Sequence, residues 1–155
     1  MFTTAAMIAA VLLLSAGPGA AEPPAHSNAG GNGSHAHVTG DVYWNSAGGY
    51  NGIHTVFVLH AAAPGKNPDR GWVTDDVPGK GWRKVKVECV TINSAGAYFG
   101  GTIVEAAGDY VVGQGVEGWF GPSGDKLGSR QVSSPCPIGS WEGGGTTIAG
   151  VVKFH

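Results

Sequence analysis

Short runs in which apolar and polar residues alternate occur along most of this chain, and they constrain its fold more than any other feature. The clearest is WRKVKVECVTI, residues 82–92. Because successive side chains of an extended chain point to opposite faces, such a run buries one face and exposes the other. The buried face would carry Val85, Val87 and Cys89, and the exposed face Lys84, Lys86 and Glu88. The pattern predicts a β-strand.

Similar runs continue to the end of the chain, separated by Gly, Pro, Asn and Asp, which are typical of turns. With 28 glycines and no sustained 3.6-residue period, the sequence gives little support for helices. The predicted strands are His37–Trp44, Gly52–Ala61, Gly71–Asp75, Trp82–Ile92, Ala97–Ala106, Tyr110–Phe120, Lys126–Val132 and Thr146–His155. Consecutive strands without crossover helices predict an all-β domain, an antiparallel sandwich or barrel of about eight strands.

The residues before the first strand predict two further segments. The apolar run Ala5–Ala16 is too short to cross a bilayer, and small residues follow it, as in a secretory signal peptide. We place the end of the signal peptide at residue 21. Residues 22–35 are rich in Pro, Gly, Asn and Ser and predict a flexible leader to a single β-domain, residues 36–155. The expected product is secreted, periplasmic or extracellular, with no membrane segment once the signal peptide is removed.

The two cysteines, Cys89 and Cys136, predict one disulfide. Neither has the neighbours of a metal-binding or catalytic cysteine, since Cys89 lies in an alternating run and Cys136 between two prolines. Exported proteins meet an oxidising environment in which disulfides persist. Closing a loop of about 48 residues would stabilise the fold by about 4 kcal/mol.

The histidines raise the possibility of a metal site. His54 and His60, at the ends of HTVFVLH, share a face of one predicted strand but would be about 20 Å apart, too far to hold one ion. His35 and His37 are a better pair, because residues two apart on a strand are neighbours on one face. They would need a further ligand, for which His54, His60 and Asp41 are candidates. The alternative is that His35 and His37 are exposed residues where the leader enters the first strand.

Aromatic residues are the more promising candidates for a binding site. Trp72 and Trp119 each follow a glycine, Trp44 ends the first predicted strand, and Trp141 lies near the second cysteine. Tryptophan beside a small residue can present its ring face to a sugar or another apolar ring. We expect Trp72 and Trp119 to be the most exposed of the four. The alternative is that these rings close the ends of the β-domain and are buried.

Composition and motifs argue against several classes of function. A formal net charge of −2 argues against a nucleic-acid partner, which requires a basic surface. Glycoside hydrolysis needs two carboxylates facing each other across a cleft, whereas Glu88 and Glu105 fit solvent-facing positions on strands. Asp75 and Asp76 are expected as a loop pair with too few oxygen neighbours for a calcium site. No cofactor is predicted.

One segment resembles a recurring pattern in secreted bacterial proteins. In KVECVTINSAGAYFGGTIVEA (86–106), a strand with a cysteine leads through a short turn to an aromatic-Gly-Gly strand. Residues 113–129 and 144–155 are similar to the polar loop and final strand of the same group. These are uncharacterised bacterial secreted all-β proteins of no assigned activity. The resemblance implies the fold and export, and it carries over no catalytic residue.

Three functions from different classes follow as expectations. We favour a secreted, monomeric, non-catalytic β-domain that binds a glycan or another surface component through loop aromatics. The first alternative is a small secreted hydrolase-like enzyme with a site that the sequence does not declare. The second is an exported metal-binding protein that uses His35 and His37.

Overall fold

The computed structural model describes residues 36–62, 69–139 and 143–155. They form eight antiparallel strands, each paired with the next along the chain, and β8 returns to pair with β1. The strands are β1 Ala36–Asn45, β2 Ile53–Ala61, β3 Arg70–Val77, β4 Gly81–Asn93, β5 Gly96–Ala106, β6 Gly115–Phe120, β7 Lys126–Val132 and β8 Gly145–Phe154. The predicted all-β class with about eight strands is confirmed, and of the two architectures expected the structure is a closed barrel.

Several predictions fall on residues outside those ranges. The signal peptide (1–21), the leader (22–35), His35 and Trp141 all lie outside the described residues. Within the described part of the chain, no helix is long and apolar enough to cross a membrane.

Inward-facing side chains fill the barrel. Phe120 stacks on Phe57 with ring centroids 3.7 Å apart. Gly118 makes room for Phe99, because a Cβ at Gly118 would lie 2.0 Å from that ring. The largest fully buried apolar side chains are those of Phe57, Phe99, Leu59, Ile103, Leu127, Val38, Val42, Val73, Val85 and Val116. Burial of each such side chain contributes about 1.5–3 kcal/mol to stability, which makes this interior the main stabilising element of the fold.

The turn after β3 lies two residues later than predicted. β3 extends to Val77, so Asp75 and Asp76 lie within a strand and the expectation of a loop pair is wrong. The turn is Val77–Lys80, in which Lys80 N donates to Val77 O over 3.0 Å. Gly79, its third residue, has a φ of 76°, a conformation that glycine adopts without steric cost.

β6 is shorter than predicted. Alternation predicts a strand from Tyr110, but β6 begins at Gly115. The preceding loop is bonded back to β5, because Gly113 N donates to Ile103 O over 2.8 Å and Ile103 N donates to Gln114 O over 2.9 Å. These contacts leave Tyr110 in a loop at the end of the barrel.

Connectivity determines which loops meet. The strands alternate in direction, so the connections β1–β2, β3–β4 and β5–β6 lie at one end of the barrel, together with β7–β8. We call this end the mouth. It brings together three short segments that are distant in sequence: residues 46–52, 78–80 and 107–114.

The predicted disulfide between Cys89 and Cys136 is confirmed. It ties β4 to residues 133–139, which follow β7 and pack over β6. A Cβ at Gly115 would lie 3.2 Å from Pro135 Cδ, which shows how closely this segment approaches the strand. All six residues of β6 are buried, on the outer face as well as the inner one.

Candidate functional site

A cavity of about 290 Å³ opens at the mouth of the barrel, and we call it the mouth cavity. Three loops contribute Tyr50, Lys80 and Tyr110 to its wall. Inward-facing residues of the strands line it below the loops: Trp44, Ile53, Asp75, Val77, Arg83, Ser129 and Gln131. Barrels of eight strands can hold one small ligand, and barrel mouths are frequent binding sites.

A chain of buried polar side chains lies at the base of the mouth cavity. Arg83 donates to Asp75 Oδ2 from Nε over 2.9 Å and from Nη2 over 2.6 Å. Thr55 Oγ1 donates to Asp75 Oδ1 over 2.7 Å and accepts from Trp44 Nε1 over 2.8 Å. Arg83 Nη2 also donates to Ser129 Oγ over 2.7 Å. The carboxylate and the guanidinium are therefore held in fixed positions.

This arrangement is costly for a structural core. Asp75 is 3% exposed and Arg83 is 4% exposed. Taking both charges out of water costs several kcal/mol for each ion, and well-packed apolar residues in their place are often neutral or stabilising. A buried ion pair beneath an open cavity is therefore a candidate for a binding function.

Tyr110 links the loops to the buried pair. The Arg83 guanidinium lies 4.8 Å from the centroid of the Tyr110 ring, and Lys80 Nζ lies 5.2 Å from it. Burial raises the pKa of the Tyr110 hydroxyl, an effect that the positive charge of Arg83 partly opposes and the negative charge of Asp75 reinforces. The hydroxyl is accordingly protonated at neutral pH and can donate a hydrogen bond to a ligand.

A second ion pair lies on the outer face of β6 and β7. Glu117 is buried there and accepts from Arg130 Nη2 over 2.7 Å and Nε over 3.0 Å. Its other oxygen accepts from Gly139 N over 3.4 Å. Glu117 therefore anchors the segment that covers β6, and the pair belongs to the packing of this segment rather than to the mouth cavity.

The structure separates the predicted tryptophans. Trp44 lies inside the barrel and borders the mouth cavity with an exposure of 5%. The expected exposure of Trp119 is wrong, because this residue is 4% exposed and its Nε1 donates to Ala95 O over 3.1 Å. Trp72 is 37% exposed on the outer surface, as expected. These three residues do not share a site, and Trp141 lies outside the described residues.

Trp72 does border a second depression. A shallow groove of about 620 Å³ runs over the outer face of β8, β1, β2 and β3, and we call it the outer groove. Val56 and Val58 form its floor, while Trp72 and Tyr43 border it at 37% and 45% exposure. Strand spacing places these two aromatic residues about 15 Å apart.

The described histidines stack on neighbouring aromatic rings and do not form a metal site. The ring of His37 stacks on those of His60 and His155, with centroids 5.4 and 4.2 Å away and planes 22° and 6° apart. Lone pairs lie in the ring planes, so stacked imidazoles do not point at a common ion. His54 instead lies 2.8 Å from Asp41 and stacks on Tyr43. Among the described residues, no three His, Cys, Asp or Glu are placed to hold a metal.

Asp75 and Arg83 are site residues that the sequence analysis missed. The alternation of apolar and polar residues in β3 and β4 indicates that both residues face inward. Asp75 is in phase with Val73 and Val77, and Arg83 is in phase with Val85, so each charged residue occupies an inward-facing position. Two opposite charges at inward positions of adjacent strands are the pattern of a buried pair. Tyr50, Lys80 and Tyr110 carry no comparable signal, because loop residues have no periodicity.

Comparisons with protein-family models, curated proteins and solved structures find no match to this chain. The resemblance of residues 86–106 to secreted bacterial proteins stays a prediction.

Proposed function

We propose that this protein is a non-catalytic binding domain that takes a sugar, such as the end of a glycan, in the mouth cavity. The observation that carries the proposal is the cavity itself, in which loop aromatics converge with polar groups above the buried Asp75–Arg83 pair. The loop aromatics are Tyr50 and Tyr110 in place of the tryptophans that the sequence suggested.

The chemistry of the wall suits a small polar ring. Tyrosine faces can stack on the C–H face of a sugar, and the hydroxyl of Tyr110 can donate to it. Below the rings, Ser129 and Gln131 offer side-chain groups that can donate and accept hydrogen bonds. A volume of about 290 Å³ is at the lower end of the range for ligand pockets, which favours a ligand of one or two rings.

Binding is favoured over hydrolysis by the state of the carboxylates. A glycosidase needs one carboxyl group to give a proton and a second to act as base or nucleophile. Asp75 lines the mouth cavity, but its oxygens accept from Arg83 and Thr55. Glu117 is tied to Arg130 on the outer face. Neither carboxylate of these ion pairs has the freedom that proton transfer to a substrate requires.

We propose the same setting for this function as the sequence suggests: a secreted or periplasmic, monomeric protein with a signal peptide over residues 1–21. The Cys89–Cys136 disulfide supports this, because such bonds persist in oxidising compartments.

Calorimetric titration of the purified protein with a panel of neutral and acidic sugars tests the proposal. Trp44 borders the cavity and supplies a parallel fluorescence signal. We expect saturable binding of one class of sugar and a weakening of about 3- to 10-fold in Tyr110→Ala, as loss of one stacking ring predicts. Trp82→Ala removes an aromatic residue that is exposed on the outer face of β4 and does not line the cavity, and it should leave the Kd unchanged. Absence of binding across the panel would overturn the proposal.

The outer groove supports a second candidate, a site for an extended glycan chain. Its two exposed aromatic residues, Tyr43 and Trp72, are too far apart to hold one sugar ring but can contact successive rings of a chain. If Trp72→Ala or Tyr43→Ala abolishes binding of long oligosaccharides while Tyr110→Ala does not, the outer groove is the site. The converse result assigns binding to the mouth cavity.

A further inference from the structure

We infer that the mouth cavity selects a ligand with an anionic group, a carboxylate, sulfate or phosphate on the sugar, and that Lys80 is the residue that recognises it. This inference rests on the proposed binding role of the mouth cavity and names the chemical class of its ligand.

The charges that line the cavity leave one cation in excess. Asp75 and Arg83 neutralise each other at 2.6 Å. Arg130 also borders the cavity, but its guanidinium is paired with Glu117 at 2.7 Å. Lys80 forms no ion pair within 4.0 Å to any carboxylate in the described ranges. The cavity wall therefore carries the positive charge of Lys80 without a matching carboxylate.

The contacts that Lys80 does make keep its ammonium over the cavity. Nζ lies 5.4 Å from the ring centroid of Tyr50 and 5.2 Å from that of Tyr110, on the two loops that face each other across the mouth. Ring faces attract a cation but accept its N–H groups poorly compared with an oxyanion. An anionic group that enters between the two rings would therefore gain charge-assisted hydrogen bonds from a cation that is already in place.

The backbone of Lys80 is fixed against the loop that carries Tyr110. Lys80 O accepts from Asp109 N over 2.9 Å. The two segments approach so closely that a Cβ at Gly108 would lie 2.2 Å from Lys80 O. Lys80 also ends the Val77–Lys80 turn. The backbone segments that carry Lys80 and Tyr110 are thus held rigidly together, so little ordering is required when a ligand binds.

Asp109 is the carboxylate nearest in sequence to Tyr110, and its charge helps to raise the pKa of that hydroxyl. It does not line the cavity and forms no ion pair with Lys80. The positive charge of Lys80 thus faces the ligand, while the negative charge of Asp109 lies outside the cavity wall.

The test compares four probes in calorimetric titrations: glucose, glucuronate, glucose 6-sulfate and glucose 6-phosphate. In the wild-type protein, at least one anionic probe should bind about tenfold or more tightly than glucose, the gain expected from a charge-assisted hydrogen bond. The preferred anion distinguishes a carboxylate from a sulfate or phosphate ligand. Raising the salt concentration should weaken binding of the anionic probe and leave the affinity for glucose unchanged.

Variants then locate the recognition. Lys80→Met removes the charge and keeps the apolar stem, and it should abolish the preference for the anion. Lys80→Arg keeps the charge and should retain the preference, which shows that the positive charge at this position is what the anion requires. Lys126→Met, an exposed lysine at the opposite end of the barrel, is the matched control and should behave as wild type.

The outcomes separate this inference from the proposed function. Equal Kd values for glucose and all three anions would overturn the inference and leave the mouth cavity as a neutral sugar site. A preference for the anion that persists in Lys80→Met would also overturn it. If none of the four probes nor any other sugar binds, the proposed function fails and the inference fails with it.

Discussion

Replacing Asp75 by leucine should destabilise the protein by about 3–5 kcal/mol. Asp75 accepts hydrogen bonds from Thr55 at 2.7 Å and from two nitrogens of Arg83 at 2.9 and 2.6 Å. Leucine has the same branched side-chain skeleton as aspartate but leaves the Arg83 guanidinium, at 4% exposure, without a counter-charge. Removing one partner of a buried ion pair typically costs this amount, a large part of the net stability of a small domain.

The double variant Asp75→Leu/Arg83→Met should recover most of that loss and lie within about 2 kcal/mol of wild type. No buried charge is left unpaired in it, and two apolar side chains replace the pair. Urea unfolding followed by Trp fluorescence, with the disulfide intact, gives the four free energies of the double-mutant cycle. If the losses of the two single variants add up to the loss of the double variant, the two residues act independently. Such additivity would show that Asp75 and Arg83 are not one buried unit.

Two further predictions concern the core and the mouth. Gly118→Ala should lower the free energy of unfolding by about 1–3 kcal/mol in urea titrations, because the new Cβ would lie 2.0 Å from the Phe99 ring. Gly48→Ala should change it by less than about 0.5 kcal/mol, because its Cβ would meet only Ser46 Oγ, at an ordinary contact distance of 3.7 Å. Equal effects would contradict the close packing at Gly118. Burial raises the pKa of Tyr110, so above about pH 10 the unfolded chain loses this proton before the native protein does. Stability should be unaffected by this group below pH 10 and fall above it, less steeply in Tyr110→Phe; parallel pH profiles of the two proteins would count against the raised pKa.

The mouth cavity could be predicted from the sequence only in part. Asp75 and Arg83 occupy inward-facing positions of neighbouring strands, and alternation alone indicates that both are buried. Their pairing also depends on register, since Asp75 lies directly opposite Arg83 in the β3–β4 ladder. A shift of one residue would send one of the two charges to the outer face. The position of the turn at Val77–Lys80 therefore decides whether the ion pair exists.

Trp119 illustrates where the local pattern fails. A strand with one covered face would leave alternate residues exposed, but β6 has both faces covered. Residues 133–139, held near β6 by the Cys89–Cys136 disulfide, cover its outer face at Gly115 and Glu117. The turn between β4 and β5 lies against Trp119, whose Nε1 donates to Ala95 O. A contact between segments so distant in sequence leaves no period in the strand itself, so the exposure of Trp119 could not be inferred from its neighbours.

The sequence by itself determined the β-class, the approximate number of strands and the disulfide. These depend on local alternation, on turn residues and on a count of two cysteines. Only the tertiary structure decided that the sheet closes, through pairs such as Val38–Phe154, and that Tyr50, Lys80 and Tyr110 meet at one end. The physical reason is that an up-and-down barrel puts alternate loops together, whatever residues they carry. A binding site made from those loops exists only once the whole sheet has formed.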